Sequence, residues 1–599
     1  MRARDLRTEL LPALCLALAI AAVYARALPG PFVFDDQTAI VSNETLRALT
    51  PLRAVLQQPP DLSIAGRPVV ALSLALDYAL GELDPRGYRA ANALFHWVAA
   101  LLLFGVVRRS LGSPRLAPRF GAQARGLAFA TALLFALHPL ASEVVCYVSA
   151  RTESLMAVFY LATLYCAIRS RDSARPWGWV AGAVASCALG MGCKEVMASA
   201  PLVVALHDVV LWGPADGARR RLRVVTWAGL ALTWGVLAAL VVQAPRAQSA
   251  GFDHWVTPLI YLANQARVVP HYLRLVVAPH RLLFDYGTPE PLTLGEVWPG
   301  LLLLVSLFAL SVYALWRWPA AGFVGVACFA ILAPSSSVVP IASEVGAERR
   351  MYLPLAALLA LGVGAIGPLV ARWRGRWLGP GLLAAAALVL AALSFARAGD
   401  YRSEVELWRS DLRVRPENRR ARYDLAKALE REGSQAEARV EMAAAVRAEI
   451  DYYERVLPLQ PDPVGARVDL GALNEVNGHP ERAQALYLEA LALAPDDPYA
   501  LRRMALLVLR RAAGDQASIA RARGYAERAV AVTDRRDAAS LEALASVQLA
   551  SGERDAALEA LREALATDPA RQPARVLERV RERLDALQSA APDREGDTR

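Results

Sequence analysis

Two adjacent carboxylates, Asp35 and Asp36, end the run Pro31-Phe-Val-Phe, directly after the first apolar stretch of this 599-residue chain. Paired carboxylates beside a membrane are costly unless they are used or well solvated, and capping a helix is the plain alternative use. Further polar groups gather at the ends of later apolar runs: Arg67; Asn92 and His96; His138 and Glu143; Arg151-Thr-Glu153; Lys194-Glu195; and Glu348-Arg349-Arg350 before Tyr352-Leu-Pro354. Ion-coupled transporters tend to place charge near mid-membrane. A polar roof over an apolar body suits a substrate with a charged head and a lipid tail instead. No two histidines have metal-ligand spacing, so a structural role is expected for them and no metal site. The six cysteines match neither a zinc site nor a disulfide framework.

The elements that must position these groups are membrane helices. With 55% hydrophobic residues the chain is too apolar to be wholly soluble, and its charge is concentrated after residue 400. About eleven segments reach the length and apolarity of a span: roughly 8–26, 90–107, 126–141, 152–168, 177–193, 197–213, 223–243, 297–316, 320–335, 352–371 and 377–396. A cleaved leader is conceivable at the N-terminus, but an uncleaved first span is preferred because its apolar run is long. The net charge of +9 does not indicate nucleic acid, since much of it lies in short loops such as Arg108–Arg125, Arg169–Arg175 and Arg219–Arg223. Those loops fall inside under the positive-inside rule if the N-terminus is inside. The basic loops at Arg317 and Arg372–Arg376 join them only if the segment 257–279, with Arg267, His271 and Arg274, is re-entrant or interfacial. An odd number of crossings then places Asp35, the Glu348–Arg350 cluster and the C-terminal third on one outer side. Lysine occurs only at Lys194 and Lys427, the composition of a GC-rich genome, so the expected setting is a bacterial inner membrane with the C-terminal part periplasmic.

That C-terminal third repeats. Leu470, Gly471, Asn474, Gly478, Ala483, Tyr487, Ala490 and Pro495 recur as Leu544, Ala545, Gln548, Gly552, Ala557, Leu561, Ala564 and Pro569. An earlier unit begins near Arg419, and a degenerate one retains Met504, Ala505, Ala522 and Ala526. This is the tetratricopeptide pattern, an α-solenoid whose concave face commonly takes an extended peptide.

Taken in order, these motifs resemble the transmembrane and tetratricopeptide-repeat-containing O-mannosyltransferase family of the GT-C glycosyltransferase superfamily. The resemblance rests on Phe32-Val-Phe-Asp-Asp36 with Ile40 and Asn43, Arg67-Pro68 with Tyr88, and Asn92-Ala-Leu-Phe-His96. It continues through Phe135-Ala-Leu-His-Pro139 with Glu143 and Arg151, Lys194-Glu195, and Glu348-Arg349 with Tyr352-Leu-Pro354. It implies an all-α architecture: residues 1–400 as a GT-C-type transmembrane bundle with an outer loop at 28–89, 401–585 as the repeat solenoid, and 586–599 as a disordered tail. It also implies transfer of mannose or a similar hexose from a polyprenyl-phosphate carrier to Ser/Thr hydroxyls of an exported protein, with inversion. By motif position Asp35 would be the general base, with Asp36 beside it. Arg349, Arg350, Arg151 and Lys194 would be candidates for the donor phosphate, because the leaving group is already anionic and needs cations more than protonation. Glu143, Arg67, Glu348 and His138 would support them, Glu143 by orienting the acceptor or a divalent cation. The repeats would bind the acceptor protein. A non-enzymatic membrane-anchored scaffold for protein assembly stays open as the alternative.

Overall fold

The computed structural model describes residues 3–589 apart from 215–216, 244–255, 338, 372–376 and 569–571. Helices, and no strand, make up the regular structure of the described residues. The chain divides into two compact units, Met1–Ala438 and Arg439–Arg599.

In the first unit, eight helical stretches are long and apolar enough to cross a membrane, by length and composition, among the described residues. A bent pair, Pro139–Cys146 with Val148–Asp172, makes a ninth if it counts as one span. The chain is a multi-pass membrane protein. The two further segments expected as spans form helices that are short: Pro176–Met191 has 16 residues and Pro319–Leu332 has 14. At 1.5 Å per residue they extend about 24 and 21 Å, less than the roughly 30 Å of hydrocarbon that a helix must cross. The count of about eleven is therefore an upper figure.

Local sequence explains the helix ends. Proline opens Pro85–Leu111, Pro176–Met191, Pro258–Val277 and Pro319–Leu332, where its missing N–H costs nothing. Arg108 and Arg109, Arg169 and Arg171, and Arg317 close their helices, favourable to the helix dipole. The outward faces stay apolar: Leu232, Leu302, Val305 and Leu388 are exposed, as lipid-facing side chains should be. At the basic end, Asp208 bridges Arg171 and Arg223. The basic loop at 372–376 lies outside the described residues.

Pro258–Val277 is one helix of 20 residues and is not among those apolar enough to span. Its inner face carries Tyr261, Gln265 and Tyr272, which fasten the loop between the helices Pro319–Leu332 and Tyr352–Ala371. Tyr261 Oη donates to Ser335 O at 2.8 Å, Gln265 Nε2 to Val345 O at 2.9 Å, and the Ala347 N–H donates to Tyr272 Oη at 2.5 Å. The residues that argued against a crossing are placed differently: Arg267 pairs with Glu296 at 3.6 Å, and Arg274 lies 3.2 Å from His271 Nδ1.

Residues 404–438 belong to the first unit, so its edge falls beyond the boundary expected at 400. The reason is a set of clasps. Asp411 accepts from the backbone N–H of Phe284 (2.8 Å) and Asp285 (2.7 Å), while Asn418 Nδ2 donates to Asp285 O at 2.9 Å. Burial outweighs Arg397 and these backbone donors and pushes the Asp411 carboxyl up to about 7.

The second unit holds paired antiparallel-type repeats: Pro463–Val476 with Pro480–Leu493, Pro498–Arg511 with Gln516–Val532, and Ala538–Ala550 with Arg554–Ala566. The repeat signature has a direct steric meaning. A Cβ at Gly471 would sit 2.4 Å from Tyr487 Cε1, so the small residue on one helix makes room for the large one on the next. Gly471→Ala should therefore cost about 1–3 kcal/mol by overpacking. Gly524→Ala, in a helix with nothing within 4 Å of its Cβ, should be neutral or stabilising by about 0.5–1 kcal/mol. Thermal unfolding of the two variants checks this; equal melting temperatures would contradict the packing account. Pro569 and residues 590–599 lie outside the described residues, and 586–589 close the helix Ala574–Ser589.

Candidate active site

The loop that follows the first apolar helix is pinned at its start. Gly30 passes so close to Tyr401 that a Cβ would meet its carbonyl oxygen at 2.0 Å. The buried Arg89 guanidinium donates to the carbonyls of Gly30, Pro31 (2.5 Å) and Cys146 (2.7 Å). Phe34 then takes a left-handed φ of 51°, a conformation costing about 1–3 kcal/mol for a bulky residue. Its ring is held edge-on against Phe284 (5.9 Å) and Trp408 (6.0 Å). This strained turn sends the two neighbouring carboxylates in different directions.

Asp36 points inward and is wholly buried. It accepts from Ser149 Oγ (2.6 Å), Ser149 N (2.8 Å) and Val33 N (3.2 Å), tying the loop to residues 148–150. Burial outweighs these donors and pushes its carboxyl up to about 6. Asp35 instead lines a cavity of about 550 Å³, within the range of small-molecule pockets. Burial raises its carboxyl above the ordinary range, Glu344 adds to this, and Arg349, Tyr147 and Arg420 oppose it. The Tyr147 hydroxyl affects Asp35 without reaching hydrogen-bond geometry to any described group.

Arg349, Arg350, Lys194 and Arg67 line the same cavity as Asp35. Arg349 is gripped from two sides: Nη1 donates to Glu143 at 2.5 Å, its backbone N–H to the other Glu143 oxygen at 2.8 Å, and Nη2 to both Glu344 oxygens at 2.8 Å. Arg350 reaches Glu344 at 3.1 Å and Tyr261 Oη at 3.0 Å. Burial would raise the Glu344 carboxyl, but the two arginines outweigh it and hold the group below its usual range. Lys194 pairs with Glu153, and Arg67 with Glu195 at 3.4 Å. The Arg67 Nε is buried without a partner. Leu237, Leu240 and Val241 from the helix Gly217–Gln243, and Val339 and Ile341 from the loop, line the same cavity. One cavity therefore combines four carboxylates (Asp35, Asp61, Glu195 and Glu344), four cations and apolar side chains.

The other residues singled out in the sequence lie elsewhere. Arg151 is completely buried outside the cavity, donating to Asn92 Oδ1 (2.8 Å), Tyr88 O (2.7 Å) and the Asp77 carboxylate. It ties three helices together. Arg151→Ala would strand Asp77, and a loss of about 3–5 kcal/mol is expected in unfolding measurements; a weakened donor KM with unchanged stability would contradict that role. Glu143 lies behind Arg349 and holds it. Glu348 faces away, accepting from Leu283 N (2.6 Å) and Tyr286 Oη (3.1 Å). His138 is buried, with Nε2 at 3.1 Å from Val276 O and Nδ1 accepting from Leu140 N. Among the described residues no group of three or more His, Cys, Asp or Glu is arranged to hold a metal.

The structure adds residues that the motifs did not single out. Glu344 bridges both arginines, Tyr147 lines the cavity, and Arg420, from the helix Arg419–Arg431, donates to the carbonyl of the lining residue Ser343. Glu344 lies four residues before the Glu348–Arg350 motif, a proximity that is the one local signal for any of the three.

No family model matches the chain. Over 527 residues it is 26% identical to protein O-mannosyl-transferase TMTC3 of Mus musculus, covering 80% of this chain and 54% of that protein. It is 30% identical over 310 residues to protein O-mannosyl-transferase Tmtc2 of Drosophila melanogaster, covering 47% and 31%. Among solved structures, ArnT from Cupriavidus metallidurans bound to undecaprenyl phosphate aligns at 18% identity and a TM-score of 0.36, covering 74% of this chain and 80% of that one. Both curated relatives carry the name of the enzyme family that the motifs resemble, and the chain spans about half the length of the curated relatives it matches.

Proposed function

From a sequence similar over four-fifths of its length to protein O-mannosyl-transferases, we propose that this protein moves a sugar from a polyprenyl-phosphate carrier to a Ser or Thr hydroxyl of an acceptor protein. One observation carries the reading: Asp35 and Arg349 line one cavity that also has an apolar wall. An amphiphilic donor needs that combination.

In the proposed reaction, Asp35 takes the hydroxyl proton as the acceptor oxygen attacks the anomeric carbon. The bond from that carbon to the phosphate oxygen breaks on the opposite face, its electron pair leaves with the phosphate, and the centre inverts. Burial raises the affinity of Asp35 for a proton and suits it to this task. The departing phosphate is already an anion, so no acid is required to protonate it, unlike the paired carboxyls of a glycosidase. Arg349 and Arg350, held rigid by Glu344 and Glu143, supply preorganised positive charge, with Lys194 and Arg67 on the same cavity. The sugar is mannose or a similar hexose, Leu237, Leu240 and Val241 meet the first isoprene units, and the repeat unit Arg439–Arg599 binds the acceptor. The setting is a cytoplasmic membrane with the cavity on its outer side.

The test uses purified full-length protein, mannosyl-phosphoryl-polyprenol and a Ser/Thr-rich peptide. Peptide glycosylation dependent on Asp35 is expected. Absence of transfer, with wild-type function in cells retained after Asp35 and Arg349 are replaced together, would favour a non-enzymatic scaffold.

In this arrangement Arg67 has an unpartnered Nε and its ion pair to Glu195 is its longest-reaching contact, so it is less committed than Arg349. Arg67→Ala is expected to raise the donor KM about tenfold, the scale of one charge-assisted hydrogen bond, with kcat little changed. An unaltered KM would remove Arg67 from the donor site.

A further inference from the structure

The helix Arg419–Arg431 reads in sequence as the opening helix of the repeats, yet one of its side chains bonds a loop that lines the cavity of the membrane-spanning unit. Arg420 Nη2 donates to the carbonyl of Ser343 at 2.6 Å, and Ser343 lines the cavity next to Glu344. Its Nη1 pairs with Asp285 at 2.9 Å. The guanidinium carbon stands 5.8 Å from the centroid of the Phe34 ring, the strained residue that precedes Asp35. One side chain therefore touches the loop carrying Glu344, the loop 283–287, and the turn that aims Asp35.

We propose that Arg420 is a positioning residue of the active site, fixing the place and charge of the Asp35 carboxylate from the first helix of the repeat segment. This rests on Asp35 being the base. Catalysis is then tied to the junction between spans and repeats, because the helix Arg419–Arg431 holds in place a loop that lines the cavity.

The charged and titratable groups facing Asp35 are Arg349 and Glu344 on one loop, Tyr147 on another, and Arg420, with Asp36 adjacent in sequence. Arg349 is committed to two carboxylates, whereas Arg420 has one, Asp285. Removing the Arg420 charge takes away a cation that favours ionised Asp35. A base must be deprotonated to work, so its activity disappears as pH falls through its pKa. Loss of the cation should move that acid limb to higher pH.

The experiment compares pH profiles of kcat/KM for full-length wild type, Arg420→Gln and Arg420→Lys with mannosyl-phosphoryl-polyprenol and peptide. Arg420→Gln is expected to shift the acid limb of the profile to higher pH and to lower kcat/KM along that limb, while Arg420→Lys keeps the limb in place. An unshifted limb in Arg420→Gln, even with lower stability, would reduce Arg420 to a structural strut. If Arg420→Gln does not accumulate, Arg420→Lys decides alone, since a displaced limb with the charge retained overturns the proposal. Asp35→Asn run alongside separates the two levels: full activity there defeats the base assignment itself, whereas an inactive Asp35→Asn with an unshifted Arg420→Gln defeats only the role of Arg420.

Discussion

Asp35→Asn should lower sugar transfer by about 10²–10⁴-fold, the span that a positioned general base contributes. The amide is isosteric and cannot take the hydroxyl proton, so the loss should fall on kcat with the donor KM nearly unchanged. Folding should survive, because Asp35 faces a cavity and the anchoring bonds of the loop belong to Asp36 and Arg89. The neighbouring substitution gives the contrast. Asp36→Asn disturbs three buried hydrogen bonds, two of them to Ser149, and should reduce stability by about 1–3 kcal/mol. Wild-type activity should fall as pH drops through the Asp35 pKa, which burial holds above the ordinary carboxylate range. Kinetics at several pH values and unfolding curves for both variants would separate the roles. Equal damage to stability from each would argue that both carboxylates are structural.

Arg349→Ala is expected to be the most damaging change among the cations. The guanidinium neutralises two carboxylates, of which Glu143 has a side chain only 2% exposed. Removing one partner from a buried ionic network costs about 3–5 kcal/mol, because the stranded charges cannot be solvated. Donor binding should fall as well, since the cavity turns acidic where the phosphate would sit. Arg349→Lys tests geometry against charge: a lysine cannot span Glu143 and Glu344 as a planar fork, so it should recover little. Thermal unfolding reports the first effect, and donor affinity measured by displacement of a fluorescent polyprenyl phosphate reports the second. If Arg349→Lys restores both, the bidentate arrangement has no special importance. Arg349→Ala with Glu143→Gln and Glu344→Gln should regain part of the stability and none of the affinity.

Much of the architecture could be read from composition alone. Length and apolarity locate the membrane helices, and the small-large alternation of Gly471 with Tyr487 explains why the repeats stand out. The number of crossings stays approximate, because hydropathy marks apolar stretches without showing that the helices Pro176–Met191 and Pro319–Leu332 are only 16 and 14 residues long. At the site, sequence separates polar residues in apolar surroundings from the rest, and Asp35, Arg349, Arg350, Lys194 and Arg67 do share a cavity. It cannot separate a buried strut from a ligand. Arg151, Glu348 and His138 look similar to the cavity residues in sequence, and what distinguishes them is which carbonyls, carboxylates and backbone N–H groups stand opposite, a tertiary property. Arg420 was invisible for another reason: it sits among many arginines in a helix with repeat character, and nothing nearby announces its reach toward Phe34.

The most direct measurement is an electron cryo-microscopy structure of the full-length protein with a non-transferable polyprenyl-phosphate hexose. The account expects the phosphate within hydrogen-bonding distance of the cluster of Arg349 and Arg350, the anomeric carbon facing Asp35, and the isoprene tail along Leu237, Leu240 and Val241. Donor density on another surface, with the cavity between Asp35 and Arg349 holding none, would contradict it.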